Sequence, residues 1–346
     1  MDYYEILKTI TDGLTGNWEK DLEYLNEQSE FYKTHELAPE ILRGIGRLIC
    51  DIMPPERMEE INLLIRNNNL YENAVIEEAE FLYTRGNYEK ARAILENFLK
   101  EIETEDGLYN MFPDDSVSEY HNFRNILEDF VYCELNKPEK KVRNIRRDFD
   151  RVYLDYGTLL FELKHYDESE KALKKAIEIN PMNLDAWFEL SEVMKVRHEW
   201  NEYQAISKHC LTIAYSSKAV GRCYRNLGFY CIEMESFELA IALYHASLVF
   251  DPESQGAMSE LMYIQEITGK PTPAPKSDVV EKMFAENDIQ FGPSKTVMGL
   301  ALEIGQQAEK EMHYGIARFL YSVLYDLTGD KKAKDMMDRL PAGKAP

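Results

Sequence analysis

Basic residues are scarce in this chain. Its 346 residues carry 40 Lys and Arg against 62 Asp and Glu, a net charge of −22. A field of that sign repels phosphate backbones and anionic headgroups, so nucleic acid and membrane surfaces are set aside as general partners. Cysteine is scarce too. Cys50, Cys133, Cys210, Cys223 and Cys231 are odd in number and follow no regular spacing, which suits reduced thiols in a cytoplasm better than a disulfide framework. No apolar run approaches the length that spans a bilayer, about 18 residues. Met1 to Thr11 carries acid and tyrosine where a secretory leader needs basic residues and a pure apolar stretch.

Chemistry-bearing motifs are missing as well. The seven histidines never form HExxH, and no two cysteines have CxxC spacing. Cys223 and Cys231 are separated by more than two helical turns, too far to share a metal. Asp148, Asp150 and Asp155 lack the glycine and terminal glutamate of a calcium loop. Gly292-Pro293-Ser294-Lys295-Thr296 is not a phosphate-binding loop and reads instead as a helix start with Ser294 as N-cap. No Gly-x-Ser-x-Gly elbow occurs. Nothing here implies a cofactor or metal, and the chain reads as non-catalytic.

What is present is apolar residue content of 45%, enough for burial throughout and far from the composition of disorder. Such length exceeds one ordinary core, so the chain holds several domains or a repeat array. Two segments decide for the array. From Asp150, the residues Tyr153, Tyr156, Gly157 and Leu160 are followed by Ser169, Leu173, Ala176 and Pro181. From Gly221, the same offsets give Tyr224, Leu227, Gly228 and Cys231, then Ala240, Tyr244, Ser247 and Pro252. A third copy starts at Leu184, with Trp187, Leu190, Ser191 and Met194, and runs three residues long, which places an insertion near Ser216-Ser217. A fourth counts from Met298, with Ala301, Ile304, Gly305, Ala308, Ala317, Tyr321 and Leu324.

This spacing resembles the tetratricopeptide repeat, a 34-residue helix-turn-helix unit. The resemblance implies an all-α fold, a right-handed α-solenoid or superhelix of about nine antiparallel helix pairs, each burying its apolar face on its neighbours. It also implies an aromatic at the start of the second helix of each pair. That aromatic recurs as Trp18, Tyr88, Tyr166, Trp200, Phe237 and Tyr314. Small residues are needed where helices approach, and Gly157, Gly228, Gly305, Ala91, Ala240 and Ala317 supply them.

Segment by segment, residues 1–104 read as N-terminal degenerate pairs, including a helix from Leu37 to Met53 stopped by Pro54 and Pro55, and a partner beginning at Met58, Ile61, Leu64 and Ile65. Residues 105–149 read as a diverged helical insertion with an amphipathic helix through Phe123, Ile126, Leu127, Phe130 and Val131. Residues 150–268 form the core repeats. Residues 269–277, with Pro271, Pro273 and Pro275, read as an extended tether or modest boundary. Residues 278–340 continue the array, and 341–346 form a tail.

The family's ligand groove is lined by the first helix of each pair, helix A. The resemblance therefore places Arg151, Leu154, Asp155, Thr158 and Glu162 there, then Asp185, Phe188, Glu189, Glu192 and Val196, then Arg222, Arg225, Asn226, Phe229 and Glu233. Asp155, Glu189 and Glu192 have the wrong charge for clamping a C-terminal carboxylate. The expected partner is a protein or peptide carrying Lys or Arg, held beside Phe188 and Phe229 with Glu189 and Glu192 on its charges. The plain alternative is a solvated inner face. Lys137 to Arg151 is a local basic stretch, read as a solvated helix. The functional expectation is a cytoplasmic scaffold or adaptor; the alternative is a regulatory sensor whose superhelix closes on a peptide or small ligand.

Overall fold

The computed structural model describes residues 3–54, 70–103, 116–145 and 147–341. Among them are 17 helices and two short strands. In chain order the first are α1 (Tyr3–Asp12), α2 (Trp18–Tyr32), α3 (Ala38–Ile52), α4 (Leu70–Thr84) and α5 (Tyr88–Ile102). Then come β1 (Ser118–His121), α6 (Ile126–Asn136), β2 (Lys141–Asn144), α7 (Phe149–Glu162), α8 (Tyr166–Ile179), α9 (Leu184–Val196) and α10 (Trp200–Ile213). The chain continues through α11 (Ser217–Glu233), α12 (Phe237–Phe250), α13 (Gln255–Thr268), α14 (Ser277–Glu286), α15 (Lys295–Lys310), α16 (Tyr314–Thr328) and α17 (Lys331–Asp338). The helix expected from Met58 to Ile65 lies outside the described residues.

Two compact units divide the chain. The first comprises residues 1–111 and 147–159, the second 112–146 and 160–346. In the first, α1 and α2 pack on α3 around a core of Tyr3, Ile6, Ile10, Leu25, Ile41 and Ile45, and α4 packs on α5. In the second, consecutive helices from α8 to α13 pack in order, as do α15, α16 and α17. Within each unit, neighbouring helices therefore pack as in an all-α solenoid of repeats.

Each of the six recurring aromatics is the first residue of its helix: Trp18 opens α2, Tyr88 α5, Tyr166 α8, Trp200 α10, Phe237 α12 and Tyr314 α16. Two residues earlier the backbone is always left-handed, at Gly16, Gly86, Lys164, His198, Glu235 and Met312. In five of these turns the amide after the left-handed residue donates back five residues: Asn87 to Leu82, His165 to Leu160, Glu199 to Met194, Ser236 to Cys231 and His313 to Ala308, at 2.7–2.9 Å. This is the Schellman closure, which satisfies the last carbonyls of one helix while reversing the chain. The first turn is closed differently, by Asp21 accepting from the Thr15 and Gly16 amides at 2.7 and 2.8 Å.

The small residues act as expected in two pairs. A Cβ on Gly228 would lie 2.9 Å from the Tyr244 ring, and one on Gly305 would lie 2.8 Å from Tyr321. Both helix starts α11 and α15 are capped by serine side chains, Ser216 and Ser294. The insertion expected near Ser216-Ser217 is an additional helical turn, because α11 begins at Ser217, ahead of the repeat register at Gly221.

Two expectations are corrected. The 105–149 insertion is not purely helical, since β1 and β2 pair in parallel around α6 with Ser118 opposite Lys141. The basic stretch is not one helix: Lys137 is the left-handed C-cap of α6, Pro138 follows it, Lys141–Asn144 is strand, and only its end, Phe149 to Arg151, lies in α7. The proline segment connects α13 to α14 and is anchored at Thr272: His245 Nε2 lies 2.8 Å from the Thr272 carbonyl, and the Thr272 hydroxyl donates to Leu261 O at 3.4 Å.

The array also turns back on itself. After α14, which packs on α12, the next pair does not extend the stack; α15 packs on α6 and α10. Its approach is fixed by bonds to α10 and α11. Gln290 Nε2 donates to Leu211 O at 3.2 Å, Gly292 N to the Tyr224 hydroxyl at 2.7 Å, and Ser217 N to Asp326 Oδ2 at 2.6 Å. The insertion grips the connections that follow α8 and α10. Asn122 N donates to Ile179 O at 2.9 Å, and buried Glu128 accepts from Arg124 N at 2.8 Å, Tyr215 Oη at 2.9 Å and Asn180 Nδ2 at 3.4 Å. Burial raises the Glu128 pKa, opposed by those donors.

Two outcomes follow from these turns and this carboxylate. Left-handed backbone costs an L-residue about 1–2 kcal/mol, and glycine's extra unfolded freedom returns about half of that. Met312 is 71% exposed, so little packing is lost; Met312→Gly should raise the urea midpoint by the equivalent of about 0.5–1 kcal/mol. Glu128→Ala strands several buried donors and should cost about 1–3 kcal/mol in the same measurement.

Candidate functional site

The helix A faces of α9 and α11 bring most of the expected residues together. Phe188 on α9 is buried, and the Arg222 guanidinium of α11 lies 4.3 Å from its ring centroid. Arg222 also reaches Glu189 Oε1 at 3.8 Å. Two turns further along, Lys195 Nζ sits 4.4 Å over the Phe229 ring and 3.3 Å from Glu192 Oε2. Each aromatic thus carries a cation on its face and a carboxylate behind the cation, a cation–π arrangement closed by an ion pair.

Other expected residues have packing duties. Arg225 donates to Asp251 at 2.9 Å, tying α11 to the end of α12. Asn226 Nδ2 lies 3.4 Å from the buried Ser191 hydroxyl. Asp185 faces Arg124 of the insertion at 3.5 Å. Lys195, Trp200 and Tyr203 are not among the groove residues expected from the sequence, yet Lys195 caps Phe229 and both rings pack on it. The three-residue offset between Glu192 and Lys195 carried that signal.

Acid prevails on this face. Burial raises the Glu189 pKa; Arg222 opposes the shift, while Glu192, Asp185 and Glu162 add to it. Glu260 on α13 is likewise raised by burial, with Lys195 opposing and Glu233 adding.

Arg151, Asp155 and Thr158 belong to the first unit, where Asp155 and Thr158 line a cavity of about 180 Å³. Ala79, Tyr83, Ala91, Leu95 and Leu159 supply most of its wall, and Glu80 stands beside Asp155. Arg151 Nη2 donates to Glu80 at 2.5 Å and lies 4.0 Å from Asp155. Burial disfavours the Arg151 charge, but Glu80, Asp155 and Asp148 together raise its pKa. Glu80 escaped the sequence reading, although counting back from Tyr88 places it on the groove face of its own repeat.

Among the described residues no group of three His, Cys, Asp or Glu is placed to hold a metal ion, and no helix is long and apolar enough to cross a membrane. Burial pushes the Cys231 thiol up to about 12, and Cys133 up to about 11 with Asp129 adding.

Residues 150–183, spanning α7 and α8, match the tetratricopeptide repeat family. No curated protein matches the chain. The chain thus carries a tetratricopeptide repeat over residues 150–183, and that repeat supports a general role as a protein-interaction scaffold.

Glu189 offers a pH test. Its folded pKa lies above its unfolded value near 4.5, so its contribution to stability is full below the unfolded value and is lost as pH rises through the folded one. Glu189→Gln should therefore be at least as stable as the parent at neutral pH, with any advantage gone below pH 4.5. Urea midpoints across pH 4 to 8 check this.

Proposed function

We propose that the chain is a non-catalytic scaffold or adaptor that binds a protein or peptide rich in Lys or Arg along the helix A faces of α9 and α11. The observation that carries this reading is the pair of aromatic–cation–carboxylate stacks. Phe188 with Arg222 and Glu189, and Phe229 with Lys195 and Glu192, already hold a guanidinium and an ammonium. The surrounding Glu162, Glu233 and Glu260 add negative charge that a partner can neutralise, which favours basic partners and speeds their encounter. The buried thiols of Cys210, Cys223 and Cys231 fit a cytoplasmic setting.

The alternative, a sensor whose superhelix closes on a ligand, requires successive pairs to slide. Bonds from the insertion and the C-terminal helices onto those pairs oppose that sliding and favour the scaffold.

The test is the double variant Glu189→Lys/Glu192→Lys in the full chain, against whatever basic protein is recovered by affinity capture from the native host. Affinity should fall by about tenfold or more, and its salt dependence should flatten. Unchanged affinity and salt dependence, with the thermal midpoint preserved, would overturn the proposal.

A further inference from the structure

Strand β2 is an edge strand that carries charge of one sign. Lys141 N donates to Val117 O at 2.8 Å and Ile145 N to His121 O at 2.9 Å. In a parallel ladder alternate residues address the partner strand, so Val142, which follows one that faces β1, turns its amide and carbonyl to the other side. The sheet has two strands, and among the described residues no strand pairs with that outer edge. Pleating sends Lys141 and Arg143 to one face of β2, while Glu119, opposite Val142, projects from the other face to meet Tyr132 and His121. Among the described residues none of Lys137, Lys140, Lys141 and Arg143 has an acidic partner; Arg143 donates to the neutral Ser118 hydroxyl at 2.9 Å. Glu139, exposed beside Lys140, offsets one of the four.

We propose that the outer edge of β2 takes an extended acidic peptide as an added strand. Val142 supplies the main-chain bonds, and carboxylates at alternate positions of the peptide lie along Lys141 and Arg143, with Lys137 and Lys140 adding to the attraction. Backbone and charge select the occupant together. A second copy of the chain would set Lys141 and Arg143 against their own counterparts, and like charges facing each other across a ladder are destabilising. A nucleic acid brings anions but no strand to bond Val142, and the net charge of −22 repels it. A neutral strand bonds Val142 and leaves the cations unanswered. Alternating carboxylates on an extended backbone meet both requirements.

This surface favours the sign of partner that the acidic α9/α11 face repels, so either reading can fail without the other. The full chain, labelled at its backbone nitrogens, is titrated with a blocked peptide of alternating Glu and Val, with the same peptide carrying Gln for Glu, and with an oligothymidylate. The Glu peptide should bind saturably and slow hydrogen exchange at the Val142 amide by about tenfold. The Gln peptide should bind about tenfold more weakly, the value of a few exposed ion pairs. Lys141→Glu/Arg143→Glu should erase the preference for Glu over Gln. Val142→Pro keeps the cations and removes the outward donor at a place where an edge strand tolerates proline, and should weaken the Glu peptide by about tenfold. Protection of the Val142 amide is read in the parent chain, so it decides the matter even if a variant fails to fold. No saturable binding of the Glu peptide, an unprotected Val142 amide in its complex, or tighter binding of the oligothymidylate than of the peptide would overturn the proposal.

Discussion

Everything in this fold hangs on a turn that places one residue in left-handed backbone before an aromatic. The turn reverses the chain within a few residues, closes the carbonyl end of helix A and starts helix B with a ring that is half-anchored in the pair. Only Gly16 and Gly86 occupy the left-handed position without penalty; Lys164, His198, Glu235 and Met312 hold it under strain. Their persistence shows that packing between the paired helices outweighs local backbone preference, as is usual where tertiary contacts decide helix stability.

The same packing allocates charge. On α9 and α11 the chain lays its own Arg222 and Lys195 over the buried Phe188 and the half-buried Phe229. Carboxylates then gather behind the cations, some of them desolvated enough to resist ionisation. A surface of this kind discriminates by electrostatics more than by apolar area. In the first unit the balance is reversed: apolar wall dominates and charge sits at its edge.

Much of this was legible in the sequence, because each repeat encodes its own turn. Trp18, Tyr88, Tyr166, Trp200, Phe237 and Tyr314 mark helix starts through local geometry alone. The close approach of Gly228 to Tyr244 follows from the same register. The strands beside α6 and the return of α15 were not legible, since they depend on partners far away in the chain. Glu128 meets Tyr215, and Asp326 meets Ser217; no period relates such pairs. Of the site, the residue identities could be read but not their occupancy. Arg222 and Glu189 both fall on groove positions, and only the structure shows that they address each other.

The contact between α6 and α15 changes how the second unit comes apart. A linear repeat array frays from its ends, because each terminal repeat has one neighbour and the transition spreads inward. Here the segment before the core repeats touches the segment after them, so the helices between have no loose terminus from which melting can spread. Loss of structure in this unit is therefore expected to be concerted, as in a globular domain, and its folding must wait for a long loop to close once α15 has been synthesised.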